Sequence, residues 1–128
     1  MKKKIKHFLV FLGILVLISC RTTSSEDEKA SLPELGTIED GIYRGEYSFA
    51  KTPVKAIVDV NVQDHTISEI TIVKHRCSPI GKKGEKIIQA VIEQQSLDVD
   101  AVSGATASSK TILMAIQNAL LKGNRPEQ

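Results

Sequence analysis

An α+β fold, a small antiparallel sheet packed against two amphipathic helices, is what this 128-residue sequence predicts. Three observations carry the prediction. Residues 54 to 62 and 66 to 73 alternate apolar and polar side chains with the period of a strand. Only Gln63-Asp64-His65 separates the two runs, so they pair as an antiparallel hairpin. Around residues 87 to 92 and 112 to 120, apolar residues recur every three or four positions, which gives each segment one apolar helical face.

The first element is not part of that fold. Lys2, Lys3, Lys4 and Lys6 precede an unbroken apolar run from Phe8 to Ile18, the pattern of a secretory signal. The run falls short of the roughly 20 residues a spanning helix needs. Leu17-Ile18-Ser19-Cys20 resembles the bacterial lipobox, which implies that Cys20 becomes the first mature residue and carries diacylglycerol and palmitate-like chains. Each buried methylene contributes about 0.8 kcal/mol, so several chains on one residue hold a protein to a leaflet almost permanently. The expected location is a bacterial membrane, with the protein facing the periplasm or the exterior. An unmodified cysteine after an ordinary signal is the alternative.

Residues 20 to 39 are rich in Thr, Ser, Glu and Asp with few apolar side chains, and read as a lipidated start and flexible tether. The folded domain is then expected over residues 40 to 123, with a short tail from 124 to 128. Gly41-Ile42-Tyr43-Arg44-Gly45-Glu46-Tyr47-Ser48-Phe49 reads as a first strand. In the second, Val54, Ala56, Val58, Val60 and Val62 share one face; in the third, Ile70 and Ile72 do. Asp64 and His65 are tolerated at positive φ without being good turn residues. Pro79, Gly81, Gly84 and several lysines between His75 and Gly84 read as a loop. A helix carrying Ile87, Ile88, Val91 and Ile92 follows and ends near Ser96. A second spans residues 107 to 121, with Gly123 where a C-terminal cap belongs.

Without residues 1 to 19 the chain has 13 basic and 15 acidic side chains, a formal charge of −2, so the basic balance belongs to the signal. No basic stripe interleaved with aromatics suggests nucleic acid, and that class is discarded. With Cys20 acylated, Cys77 is left alone and no internal disulfide can form. Cys77 is either a buried small hydrophobe or an exposed thiol open to a partner or to redox chemistry. No Ser-His-Asp set, metal-ligand spacing or carboxylate pair stands out, so no catalytic residue and no metal site is assigned.

The chemistry concentrates in residues 98 to 109, where Ser103, Gly104, Thr106, Ser108 and Ser109 gather just before a helix. One reading is structural: Ser103 or Thr106 caps the helix, worth roughly 1 kcal/mol. Another uses the amides and dipole of the helix start to hold a phosphate. Spacing alone selects no nucleotide, because a Walker lysine and a three-glycine fingerprint are both missing.

Asp100-Ala101-Val102-Ser103-Gly104-Ala105-Thr106 resembles the D-x-x-S/T-G-A-T motif of the FMN-binding domain family, and the likeness extends from about Gly41 to Leu121. That family includes subunits of redox-driven ion pumps and extracellular electron-transfer lipoproteins. The resemblance implies that Thr106 receives FMN from FAD through a phosphoester made by a separate flavin transferase, releasing AMP. It implies that Asp100, Ser103, Gly104 and Ala105 serve the transferase and position the flavin phosphate, and that Ser108 fills the small hydroxyl position that follows. It also makes His75 a candidate neighbour of the flavin, since family members often carry a histidine before a Gly/Pro loop. The competing view of His75 is a solvent-facing side chain between Lys74 and Arg76. Lys82, Lys83 and Lys86 either approach the phosphate or form a solvated basic face.

The chain has no tryptophan, and Tyr43, Tyr47 and Phe49 are the aromatics of its folded part, so a partly exposed flavin ring is expected. The implied function is an anchored electron carrier exchanging electrons with membrane redox proteins. The rival is a surface or periplasmic lipoprotein of this fold that binds a ligand noncovalently or serves as a non-redox binding module.

Overall fold

The computed structural model describes residues 32 to 124. The predicted signal, Cys20, most of the predicted tether and the tail from 125 lie outside the described residues. A 3-10 turn at Leu35–Thr37 leads into β1 (Gly41–Ser48), β2 (Lys55–Gln63) and β3 (Thr66–Arg76). A second 3-10 segment, Gly81–Lys86, runs directly into α1 (Ile87–Gln94), and α2 (Thr106–Gly123) closes the fold. The strands form one antiparallel sheet in the order β1-β2-β3. The α+β class is therefore the one the sequence predicts.

β2 is the central strand, and its alternation does what a period of two requires: Ala56, Val58, Val60 and Val62 are all fully buried. They meet Ile112, Ala115, Ile116, Ala119 and Leu120 of α2 in a single core. Each such side chain contributes roughly 1.5 to 3 kcal/mol when removed from water. α1 adds Ile87 and Val91 to the same core, together with Ile67 and Ile70 of β3.

Ile67 and Ile70 are three residues apart, and in an unbroken strand they would face opposite sides. The first of two bulges in β3 resolves this. Asn61 pairs with Glu69 while Val62 pairs with Ile67, leaving Ser68 extra; Ile57 pairs with Lys74 while Val58 pairs with Ile72, leaving Val73 extra. The second bulge turns His75 to the inner face, opposite Ala56.

The hairpin turn holds Asp64 at φ 50° and His65 at φ 57°, both left-handed, as a two-residue turn matched to strand twist demands. His65 offsets part of that strain, since its amide donates to Asp40 Oδ1 at 3.3 Å and its Nδ1 lies 2.9 Å from the Ile38 carbonyl. At the end of α1, Gln95 adopts φ 48°, and its side-chain amide works as a short strand: Oε1 accepts the Ile67 N–H at 2.8 Å, and Nε2 donates to the Ile67 carbonyl at 2.9 Å.

The larger departures from the sequence reading lie at element boundaries. Ile38 is fully buried, with Leu32 and Leu35 packed against the core, so the fold takes in residues that composition assigned to the tether. β3 continues through Arg76, and the expected loop is partly the 3-10 segment Gly81–Lys86, because glycines here serve close packing and not only turns. Gly123 is the last residue of α2 and not a left-handed cap; Asn124 closes the helix at φ −92°. A Cβ on Gly123 would stand 2.6 Å from Tyr43 Cζ and 2.8 Å from Ile38 Cγ2, which explains the glycine.

The outer sheet face carries the cross-strand pair Arg44–Asp59, bidentate at 2.6 and 2.7 Å. The hydrogen bond from Arg44 holds the Asp59 carboxyl below its usual range. A carboxylate with a depressed folded pKa contributes stability that is present above the ordinary aspartate range and lost as pH falls through the folded value. Arg44→Met is therefore expected to flatten the acid limb of the melting temperature against pH, with the two proteins converging at the lowest pH. Thermal melts across the acid range check this; parallel curves would deny the pair any role. The pair is exposed and screened, so the effect is small.

Candidate functional site

The site is the junction of three segments at one end of the sheet: the end of β3, the 3-10 segment and the start of α2. Its frame is the turn from Val102 to Ala105, closed by the Ala105 N–H donating to the Val102 carbonyl at 2.9 Å. Gly104 occupies the third position at φ 78°, the left-handed conformation that a type II turn places there and that a side chain would strain. A Cβ at Gly104 would meet nothing within 4 Å, so the turn is open on its outer side.

Ser109 locks this turn. Its buried hydroxyl accepts the Val102 N–H at 3.0 Å and donates to the Ala105 carbonyl at 2.9 Å. In the sequence Ser109 is one hydroxyl among several before the helix, and nothing local marks this role. A serine one turn into a helix, on the face continuous with Ile112 and Ile116, is the signal that points inward.

α2 begins at Thr106, which is exposed. The N-cap is Ala105, and no side chain caps the helix, so the capping role considered for Ser103 or Thr106 is not realised. Ser103, Gly104 and Thr106 are exposed together on this turn, and Asp100 is exposed four residues before Gly104. Ala105 and Ser108 are buried beneath, at 4% and 3% exposure. Gly81 and Gly84 have no room for a side chain against Ser108: a Cβ on Gly81 would stand 2.6 Å from its Oγ, and one on Gly84 2.9 Å from its Cβ. The two glycines thus seat the 3-10 segment directly on the first turn of α2.

His75 does not face solvent, which corrects that alternative. Its side chain is 2% exposed, with Nδ1 2.9 Å from Glu85 Oε1 and 3.6 Å from the half-buried Cys77 thiol. Its Nε2 is buried without a hydrogen-bond partner among the described residues. The bulge at Val73 decides this orientation, and plain alternation could not show it. Lys82, Lys83 and Lys86 are exposed around the same junction. Beside them, an open groove of about 620 Å³ runs between α1 and β3 over Ile72, Ile88 and Ile92, rimmed by Glu85, Lys86, Gln89 and Glu93. Among the described residues no three His, Cys, Asp or Glu side chains converge as metal ligands.

A sequence model of the FMN-binding domain matches residues 50–121, more than half of the chain. The chain belongs to the FMN-binding domain family. A comparison with curated protein sequences finds no match. FMN is accordingly the cofactor of this domain, and the junction suits its phosphate. The first amides of α2 have no intrahelical partner and no side chain caps them, which leaves donors and the positive end of the dipole for an anion. Thr106 and the open Gly104 turn stand at that place. The family match begins at residue 50, so β1, which completes the sheet, lies before it.

Proposed function

We propose that this FMN-binding domain carries its flavin covalently, through a phosphoester on Thr106, and serves as an extracytoplasmic electron carrier anchored by lipid at Cys20. The observation that carries the reading is the state of Thr106. It is the exposed first residue of an uncapped helix, at the end of the D-x-x-S/T-G-A-T motif, and its hydroxyl makes no hydrogen bond among the described residues. That hydroxyl is open to an incoming enzyme and adjoins amides able to hold the phosphate once attached.

In the attachment step the Thr106 oxygen displaces AMP from the FMN phosphorus of FAD: one P–O bond forms, the P–O bond to AMP breaks, and the hydroxyl proton leaves to the transferase or to solvent. FMN, when bound, supplies one- and two-electron chemistry. The chain's own residues hold and orient. Gly104 and Ser109 fix the turn, Ser108 with Gly81 and Gly84 fixes the neighbouring segment, and His75 links Glu85 to the end of β3. An extracytoplasmic protein without a flavin pool around it retains a tethered cofactor where a diffusing one would be lost. Membrane redox proteins are the expected donor or acceptor.

The test is peptide mapping of the full-length chain co-expressed with a flavin transferase. Flavin that survives denaturation and maps to the tryptic peptide containing Thr106 is the expected result. Flavin that leaves on denaturation, with the transferase active on a control substrate, would establish noncovalent binding and the rival binding lipoprotein.

A further inference from the structure

The charges of this domain are segregated along its long axis. β3 runs from Thr66 to Arg76, roughly 30 Å of strand. At its last residue and the junction beyond it, Arg76, Lys82, Lys83, Lys86 and Lys110 are exposed, and none of them has an ion-pair partner among the described residues. The acids near this end are Glu46, paired with Lys55, Glu85, which is held by His75, and Asp98 and Asp100 of the loop before α2. At the opposite end, Glu34, Glu39, Asp40, Asp64 and Glu69 are all exposed. Lys122 is the cation nearby, with its ammonium bound to the Arg44 carbonyl.

The two poles have different neighbours. The basic pole surrounds the start of α2 and Thr106. The acidic pole holds the other end of α2, about 27 Å away for an 18-residue helix, where Thr37 bonds Asn124 at 2.7 Å. The described chain enters the fold at that acidic pole, beginning at Leu32. A lipid anchor at Cys20 would join the domain at its acidic end, which anionic headgroups repel.

We infer that the surface formed by Arg76, Lys82, Lys83, Lys86 and Lys110 is the docking face for an acidic redox protein, which it steers onto the flavin end of the domain. This rests on the electron-carrier reading and adds the partner's chemistry to it. Unpaired cations around one end focus the field there, and complementary charge raises encounter rates by about ten-fold or more at low salt. Partners that dock this way meet the domain with the cofactor end foremost. A membrane surface recognising the same cations would require the anchored end to face away from its own bilayer.

The experiment uses the full-length chain on phosphatidylcholine nanodiscs, and on nanodiscs with equimolar phosphatidylglycerol, with an acidic flavodoxin as the probe. Amine-reactive labelling of Lys82, Lys83 and Lys86 is expected to fall when flavodoxin is added at low salt, to recover at high salt, and to be unchanged by the anionic lipid. In flavinylated protein the combined Lys82→Glu, Lys83→Glu and Lys86→Glu substitutions are expected to slow electron exchange with flavodoxin about ten-fold at low salt. Glu34→Lys with Glu69→Lys, at the other pole, is expected to leave it unchanged. Equal rates in the two charge variants, or protection by anionic lipid instead of flavodoxin, would overturn the inference. The labelling works with or without flavin, so a failure to flavinylate is read separately.

Discussion

Thr106→Ala is expected to remove denaturation-resistant flavin completely while leaving the fold intact. Both halves of this expectation come from the position of the side chain. Thr106 is exposed, its hydroxyl makes no hydrogen bond among the described residues, and the cap of α2 is Ala105. Alanine is the better helix former, so the change in stability should stay within about 0.5 kcal/mol. Loss of the phosphoester acceptor is therefore separable from loss of structure, which is seldom true of a buried site. Thr106→Ser keeps the nucleophile and should retain covalent flavin. The check is intact mass and in-gel fluorescence of both variants beside matched melting curves. Flavin persisting in Thr106→Ala would place the linkage elsewhere, and Ser103 would be the next hydroxyl to remove.

The sequence was most legible where one regular period governs. β2 alternates between two environments, and its four inward residues are four of the five predicted, Val54 falling just before the strand; the apolar stripes of α1 and α2 are likewise where helical spacing puts them. It was least legible where a tertiary demand overrides local pattern. The two bulges in β3 shift its register, and one of them alone turns His75 from the outer face to the inner. Gly81 and Gly84 look like loop punctuation, yet they let the 3-10 segment lie against Ser108. Gly123 looks like a cap, but the side chain it cannot carry would strike Tyr43. At the site, motif recognition supplied Thr106 and its neighbours, whereas the structure supplied the physical roles of Ser108 and Ser109. A hydroxyl count could not separate the exposed Thr106 from the buried Ser109, since the difference is which side of one helical turn each residue occupies.

Gly45→Ala is expected to be the most destabilising single-methyl change in the domain, for a reason no local pattern contains. Gly45 lies buried in the middle of β1, where α2 crosses closest to the sheet. An added Cβ would fall onto the Ala115 carbonyl oxygen and stand 2.6 Å from the Ala119 amide nitrogen. Both are backbone atoms of a helix, and no rotamer change can move them aside. Small residues at Ala115 and Ala119 already bring the helix as near as it can come. Accommodating the methyl means lifting α2 from the sheet, which opens the core around Val58, Val60 and Ile116 and displaces the helix start that carries Thr106. Overpacking of this kind usually costs about 1 to 3 kcal/mol, and a clash with rigid backbone belongs at or above the upper end. Against the roughly 5 to 10 kcal/mol that holds a domain of this size together, that loss is large. Gly36→Ala is the matched control, because a Cβ there meets nothing within 4 Å. Urea titration should show a midpoint far below wild type for Gly45→Ala and an unchanged midpoint for Gly36→Ala. Covalent flavin should fall with folded fraction in the first and not in the second. A Gly45→Ala protein with wild-type stability would mean that α2 rides higher on the sheet than this packing has it.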